Sequence, residues 1–307
     1  MSKSRQSGKK RVWPWAVGLL AIVAVLTAIY SYNLYDTATT KVEEMHDPIQ
    51  REKSKKREIT VTLSERDPFS VLMLGVDARE GDSGRSDTIV VLTVNPSDET
   101  TRMVSIPRDT YTEIIGLGMM DKINHAFAFG GIEMSMETVE NLLDIPIDYV
   151  VQINMDSFQE IVDAVGGVEV DNPFAFDGFP AGSQELDGEQ ALEYVRMRYN
   201  DPRGDFGRQD RQKQVIQGIM NKGASISSLF NYREIFDSLG NNVRTNMTFD
   251  EMVEVQRNYR NAFGTIDQYI IEYGYGETIN GIWYYMMDDE ELAEIQGLLQ
   301  DHLDLSD

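Results

Sequence analysis

The sequence predicts an α/β protein, a three-layer α-β-α sandwich around a mixed central sheet, preceded by one N-terminal transmembrane helix. Three observations predict it. Val12 to Tyr35 is a 24-residue stretch without a charge. From Phe69 onward, apolar runs of strand length alternate with segments of helical periodicity. The strand-like runs lack clean polar/apolar alternation, the pattern of strands covered on both faces. The chain has 307 residues, 41% of them hydrophobic, which suffices for a sizeable core.

The chain divides in order. Residues 1–11 form a basic tail with Lys3, Arg5, Lys9, Lys10 and Arg11. Residues 12–35 are long enough to cross a bilayer core of about 30 Å, with Trp13, Trp15, Tyr30, Tyr32 and Tyr35 as interfacial belts. The preceding cations place the tail in the cytoplasm and everything after the span outside. A cleaved signal peptide would have a shorter apolar core and a small-x-small site, and Ala28-Ile29-Tyr30 is a poor one. Residues 36–66 carry seven cations and seven acids and read as a solvated stalk, partly helical up to Pro48. Residues 67–307 form one domain, without a Pro/Gly/Ser-rich break.

Within that domain, strands are expected at 69–75, 88–94, 102–106 and 149–153, and near 265–273 and 281–286. Helices are expected at 132–144, 157–165, 189–197, 208–220, 249–262 and 288–303. Gly166-Gly167 ends the second helix, and Asn200 to Asp205 is rich in turn residues.

Composition excludes several functions. Without Cys there are no disulfides, thiolate metal sites or Cys nucleophiles, and three His argue against a multi-histidine metal site. Residues 67–307 hold 16 cations against 44 acids, a net charge of −28 that would repel a phosphate backbone, so no nucleic-acid partner is expected. Walker, GxSxG and HExxH patterns are absent from the sequence.

Three constellations carry chemistry. Leu74-Gly-Val-Asp77-Ala-Arg79 ends one strand, and Gly84-Arg85-Ser-Asp87 opens the next. Carboxylates at strand ends, close to guanidiniums, suit a hard cation and the phosphates that it neutralises. The bland reading is turn caps paired with Arg79 and Arg85. Ser105-Ile-Pro-Arg108-Asp109 places an arginine just past a strand end. His125 is equally well a hydrogen-bonded structural residue or a catalyst. The strongest signal is Arg196, Arg198, Arg203, Arg208, Arg211 and Lys213, six cations in 18 residues. Planar guanidinium forks suit phosphate oxygens. Asp201, Asp205 and Asp210 offer local salt bridges instead, but three acids cannot neutralise six cations.

Together these residues resemble the LytR–CpsA–Psr family. The matching strings are Leu74-Gly-Val-Asp77, Gly84-Arg-Ser-Asp87, Ser105-Ile-Pro-Arg-Asp-Thr-Tyr111, Lys122-Ile-Asn-His125, Gly166-Gly-Val-Glu-Val170, Tyr194-Val-Arg-Met-Arg198 and Gly204-Asp-Phe-Gly-Arg-Gln-Asp-Arg-Gln212. The resemblance implies an extracellular phosphotransferase. It would move an anionic cell-wall glycopolymer, such as wall teichoic acid, from an undecaprenyl-diphosphate-linked precursor to peptidoglycan, at the MurNAc primary hydroxyl. It also implies Mg²⁺, with Mn²⁺ as an alternative, held by Asp77 and Asp87. Arg85, Arg108, Arg196, Arg198, Arg208, Arg211 and Gln212 would grip the diphosphate, with Asp77, Asp87, Arg108 and Arg198 as the catalytic set. An apolar tunnel for the prenyl chain is implied between sheet and helices. Asp77, Asp87 and Asp109 remain equal candidates for a general base. The rival functions are a non-enzymatic polyprenyl-lipid binder and a lipid-diphosphate pyrophosphatase.

The spacing of Arg196 and Arg198 carries one further expectation. Residues two apart point opposite ways on a helix and the same way on an extended segment. If both grip the diphosphate, the helix from Glu189 should therefore end near Tyr194 or Val195, short of the Met197 that its pattern allows, whereas Arg208 and Arg211, three apart, can share a helix face.

Overall fold

The computed structural model describes residues 53–76, 84–176, 178–197, 201–223, 243–271 and 273–305. The expected span at 12–35, and Asp77, Arg79 and Arg198, lie outside these residues. Among the described residues, no helix is long and apolar enough to cross a membrane.

The strands are β1 (Phe69–Val76), β2 (Ser86–Asn95), β3 (Thr100–Ser105), β4 (Tyr111–Ile114), β5 (Met119–Lys122), β6 (Tyr149–Asn154), β7 (Val168–Asn172), β8 (Gly182–Leu186), β9 (Val243–Thr245), β10 (Ile266–Ile270), β11 (Gly274–Ile279) and β12 (Ile282–Met287). The helices are α1 (His125–Leu143), α2 (Met155–Ala164), α3 (Gly188–Arg196), α4 (Asp205–Gly223), α5 (Phe249–Asn258) and α6 (Asp289–His302). Six strands form one sheet in the order β10-β3-β2-β1-β6-β9. β1 pairs parallel to β6, and β10 parallel to β3, while the other ladders are antiparallel. The sheet is mixed, as expected.

Alternate residues of β1 feed two cores, because side chains on a strand point to opposite faces. Leu72, Leu74 and Val76 pack with Met136, Val139 and Leu143 of α1 and with Ile295 and Leu299 of α6. Phe69 and Val71 pack the other way, with Ile216 of α4 and with Tyr259. Burial on both sides explains the unbroken apolar run. A third cluster joins Val162 of α2 and Val168 of β7 to Ala191 and Tyr194 of α3 and Val215 of α4. Fully burying each such aliphatic side chain contributes about 2 kcal/mol.

Local chemistry sets the helix ends. Asn154 accepts from the Ser157 amide at 2.8 Å to start α2, and Asp187 with Gln190 forms a capping box on α3. Gly130 (φ −142°, ψ 18°) and Gly131 (φ 63°, ψ −147°) break α1, so the helix expected at 132–144 is its second segment. The first segment escaped the sequence reading because this Gly-Gly step interrupts the periodicity.

The stalk expectation needs correction at its distal end. Arg57 is bidentate to Asp148, with Nε to Oδ1 at 2.6 Å and Nη2 to Oδ2 at 2.8 Å, and Nη2 also donates to the Pro68 carbonyl at 2.8 Å. Lys55 pairs with Glu137, and Lys56 with Asp144. Ser54 and Leu63 are buried. The folded body therefore begins well before residue 67, and the cations at 55–57 hold acids of the body itself. Charge balance alone cannot distinguish a solvated segment from one whose cations have distant partners.

Candidate active site at the β1–β2 bulge

Register builds the site. In the β1–β2 ladder Gly75 faces Thr88 and Val76 faces Ser86, so the ladder slips by one residue at Asp87. Such a bulge bends the strand and re-aims a side chain. Gly75 is required there, because a Cβ would stand 2.9 Å from that of Thr88. In the β2–β3 ladder Val90 faces Ser105, and the Ile106 amide still donates to the Ile89 carbonyl at 2.9 Å. Continuing that register sets Arg108 opposite Asp87, and Arg108 Nη1 lies 2.8 Å from Asp87 Oδ1. Pro107 ends the ladder, since it has no N–H to donate. The bland reading paired Asp87 with Arg85. Its partner is Arg108, while Arg85 is exposed just before β2.

A chain of charges continues from there. Arg108 Nε is 3.6 Å from Asp109 Oδ2, and Lys122 Nζ is 2.7 Å from Asp109 Oδ1. The Asn124 amide donates to the Arg108 carbonyl at 3.2 Å, and the Tyr285 amide to that of Asp109 at 2.9 Å. These bonds pin the Arg108–Asp109 backbone. His125 lies outside the notch. Its Nδ1 is 2.8 Å from Asp121 Oδ2, and burial of Asp121 is outweighed by His125 and the Lys122 amide, which hold its carboxyl below the ordinary value.

Helix α4 covers the notch. Arg208, Gln209 and Gln212 line it together with Asp87, Ser105 and Arg108. At roughly 100° per residue, positions 208, 209 and 212 share one helix face. Arg211 points about 100° away from the centre of that face. The expectation that Arg208 and Arg211 act side by side is therefore corrected. Arg211 is 1% exposed and faces inward. Its Nε donates to the Tyr194 carbonyl at 2.9 Å, its Nη1 to Asp201 and its Nη2 to the Met197 carbonyl. Its guanidinium also lies 5.4 Å from the Phe176 ring centroid. The diphosphate role expected for Arg211 does not fit a guanidinium occupied in this way. It clamps the end of α3 to α4.

The cationic cluster thus divides. Asp201 takes Arg211 and Arg203, while Asp210 takes Arg203 and Lys213, which is itself buried. Burial opposes ionisation of Asp201, but the Arg203 amide and the Arg211 guanidinium prevail and keep its carboxyl below the usual range. Burial pushes the Tyr194 hydroxyl up to about 12, against the pull of Arg211. The salt-bridge reading therefore holds for half of the cluster. Arg208 reaches the notch, and Arg196 is exposed at the end of α3. That helix extends to Arg196, within one residue of the expected 189–197 and past the end at Tyr194 or Val195 required if Arg196 and Arg198 both grip the diphosphate, and the chain leaves it at Met197 (φ −58°, ψ 127°).

Behind the notch lies an apolar cavity of about 120 Å³, walled by Met73 and Ile153 of the sheet, Phe158 and Ile161 of α2, and Ile216 and Met220 of α4. Thr88 and Gln212 line both the cavity and the notch, so the two adjoin. A further hollow of about 280 Å³ shares Ile219 and Met220 and continues to Met252 and Phe263. The buried apolar residues of α1 belong instead to the core on the opposite face of the sheet. Sequence reading missed Thr88 and Gln209 because neither carries charge. The i, i+3 spacing of Gln209 and Gln212 was the available signal.

The LytR_cpsA_psr family model matches residues 32–301. The chain belongs to this family. It is 49% identical over 308 residues to the polyisoprenyl-teichoic acid–peptidoglycan teichoic acid transferase TagU of Bacillus subtilis, covering 99% of this chain and 100% of that one. The crystal structure of B. subtilis TagU superposes with a TM-score of 0.63 at 51% identity, over 77% of this chain and 97% of that one. TagT bound to LIIa-WTA superposes with a TM-score of 0.73 at 33% identity, over 84% and 100%. Membership covers the notch, the α4 lining and both hollows, all of which fall within the matched residues.

Proposed function

We propose that this LytR–CpsA–Psr protein transfers an anionic cell-wall glycopolymer from an undecaprenyl-diphosphate-linked precursor to peptidoglycan, forming a phosphodiester at the MurNAc primary hydroxyl. One observation carries the reading. An apolar cavity adjoins, at Thr88 and Gln212, a notch walled by Arg108, Arg208 and Asp87. That arrangement suits an amphiphile with a hydrocarbon tail and a phosphate head. Teichoic acid as the polymer and peptidoglycan as the acceptor follow from the likeness to TagU of B. subtilis.

In this reading Arg108 and Arg208, with Arg85, Arg196 and Arg198 nearby in sequence, hold the diphosphate oxygens. Gln212 sits where head and tail meet. The acceptor hydroxyl attacks the phosphorus that bears the polymer. Its bond to the bridging oxygen breaks, and undecaprenyl phosphate leaves with that oxygen and its electron pair. Phosphoryl transfer needs positioning and charge neutralisation more than a protein nucleophile. Asp87, Asp109 or Asp77 takes the hydroxyl proton.

The donor chemistry at the notch suits Mg²⁺ or Mn²⁺. Asp87 presents a half-buried carboxylate at a bulge, and Val76, the residue before Asp77, pairs with Ser86, the residue before Asp87. Hard cations of this kind take one or two carboxylates plus substrate phosphates. Among the described residues no cluster of three His, Asp or Glu could hold a metal alone. Bound there, the ion would neutralise charge developing on the phosphate oxygens. We further propose that residues 12–35 anchor the chain in the cell membrane with the body outside.

The test is to incubate the detergent-solubilised full chain with lipid-linked polymer, Mg²⁺ and a peptidoglycan oligomer, and to look for a covalent conjugate by mass spectrometry. Free polymer phosphate alone would mark a pyrophosphatase. Bound but unconverted lipid would mark a carrier.

A further inference from the structure

The β11–β12 hairpin holds one aromatic ring in an unusual way. Its register pairs Thr278 with Trp283, Gly276 with Tyr285 and Gly274 with Met287, so these six residues share one face. Tyr285 is buried in the main core and Met287 packs against that core, so this face turns toward the body. Trp283 lies on the same face nearer the hairpin tip, yet it is 49% exposed. Gly276 explains how. A Cβ there would stand 2.5 Å from Trp283 Nε1 and 3.0 Å from Cε2. The indole rests on bare backbone that any other residue would deny it. One side of the ring is held and much of it is open to solvent. The Thr278 side chain, also exposed, is its cross-strand neighbour.

Topology ties the hairpin to the segment that follows the notch. Thr110 and Tyr285 form a parallel bridge, and the Tyr285 amide donates to the Asp109 carbonyl at 2.9 Å. Because the pairing is parallel, the step of about 7 Å from Tyr285 back to Trp283 runs the same way as the step from Thr110 back to Arg108. The Trp283 backbone therefore lies toward the Arg108 end of that segment, and its ring leans back over Gly276, level with Tyr285 and so beside the Asp109–Thr110 stretch that follows Arg108 of the notch.

We propose that Trp283, with the Thr278 hydroxyl beside it, is the stacking platform for a pyranose ring of the acceptor glycan strand. The proposal rests on the transfer reading above and names the acceptor subsite of that same site. The axial C–H face of a β-linked hexopyranose is weakly positive and complements the negative face of an indole. A ring already immobilised on backbone loses little freedom on binding. Charge selects between the two substrates. Residues 67–307 hold 16 cations against 44 acids, so the ring is set in a body of net charge −28. A polyanionic donor polymer is repelled from this surface, whereas a glycan chain is not.

The chain contains three Trp, so replacing Trp13 and Trp15 by Phe leaves Trp283 as the single emitter. The full chain in detergent is titrated with GlcNAc–MurNAc oligosaccharides lacking stem peptides, with poly(glycerol phosphate), and with phosphatidylglycerol vesicles. A saturable emission change is expected with the oligosaccharide alone. Read by isothermal titration calorimetry, which needs no emitter, Trp283→Ala should weaken oligosaccharide binding, and in the transfer assay it should raise the acceptor KM, each about tenfold. Trp283→Phe should recover part of both, and Gly276→Val should weaken binding with the indole still present. An emission change with polymer or vesicles in place of the oligosaccharide would overturn the platform, as would unchanged binding in Trp283→Ala. The titration needs no turnover. Oligosaccharide binding by a chain that makes no conjugate would sink the transfer reading and support the platform. Conjugate formation with an unchanged acceptor KM in Trp283→Ala would do the reverse.

Discussion

Arg108 Nη1 and Asp87 Oδ1 lie 2.8 Å apart because the β2–β3 register, carried past Pro107, sets these two residues opposite each other where β2 bulges against β1. The pair is placed by backbone pairing, and the side chains remain partly accessible, with 20% and 31% of their surfaces exposed. A carboxylate and a guanidinium held this way can exchange each other for a cation and a phosphate.

Asp87→Ala should therefore separate activity from stability. A partly exposed ion pair contributes on the order of 1 kcal/mol or less, so the melting temperature should move by only a few degrees. Transfer should drop by roughly 100-fold or more if the carboxylate serves the reacting phosphate. Conjugate yield and thermal unfolding, measured on the same preparation with and without EDTA, decide it. Wild-type transfer in Asp87→Ala, or full activity in EDTA, would remove this residue from the chemistry.

Two arginines three residues apart should behave in opposite ways. Arg211→Ala leaves buried Asp201 with only the half-exposed Arg203 as its cation and should cost about 3 kcal/mol in denaturant unfolding. Arg208→Lys keeps the charge at the notch but loses the planar fork, so stability should hold while transfer falls. Equal effects of the two variants on stability would contradict the inward orientation of Arg211.

His302 should make the fold sensitive to acid. Its Nδ1 is 2.7 Å from Thr93 Oγ1 and its Nε2 2.9 Å from Thr100 Oγ1. Burial, aided by the Arg102 charge, pulls its pKa from 6.5 down to about 4. The folded value lies below the unfolded one, so the unfolded chain takes up the proton first. Stability is complete above about pH 6.5 and declines as pH falls toward 4, by up to about 3 kcal/mol. Urea midpoints at pH 7 and pH 4.5 should differ more for the wild type than for His302→Gln. Parallel behaviour of the two proteins would assign the acid sensitivity elsewhere.

Truncation should reveal where the body begins. A chain starting at residue 53 keeps the Arg57–Asp148 fork and buried Leu63, and should unfold like the longer chain. A chain starting at residue 67 loses both and leaves Asp148 without its guanidinium, at a cost of about 3 kcal/mol or more. Arg57→Ala in the longer chain should reproduce most of that loss. Identical midpoints for the two truncations would restore the stalk boundary to residue 66.

Local pattern determined much of this protein. The buried runs of β1 and β2 and the periodicity of α4 and α6 are visible without coordinates, because each element reports its own burial through spacing of two or 3.6 residues. The short strands β4, β5, β7, β8, β9 and β11 were not visible, since three to six residues hold too few periods to stand out. The family strings marked Asp87, Arg108, Arg208 and Gln212, and the charge count marked the arginine cluster as unusual. Only the tertiary structure decided which cations serve the notch and which serve the fold. Arg211 and Arg208 are the same residue type in one helix, and their roles differ because one faces Tyr194 and Asp201 across a packed interior while the other faces the end of β2. The same holds for Arg57, whose partner Asp148 lies 91 positions away, and for Trp283, whose exposed ring depends on a glycine on the neighbouring strand. A side chain's partner across such a separation is set by how elements dock, and that information is spread over the whole core.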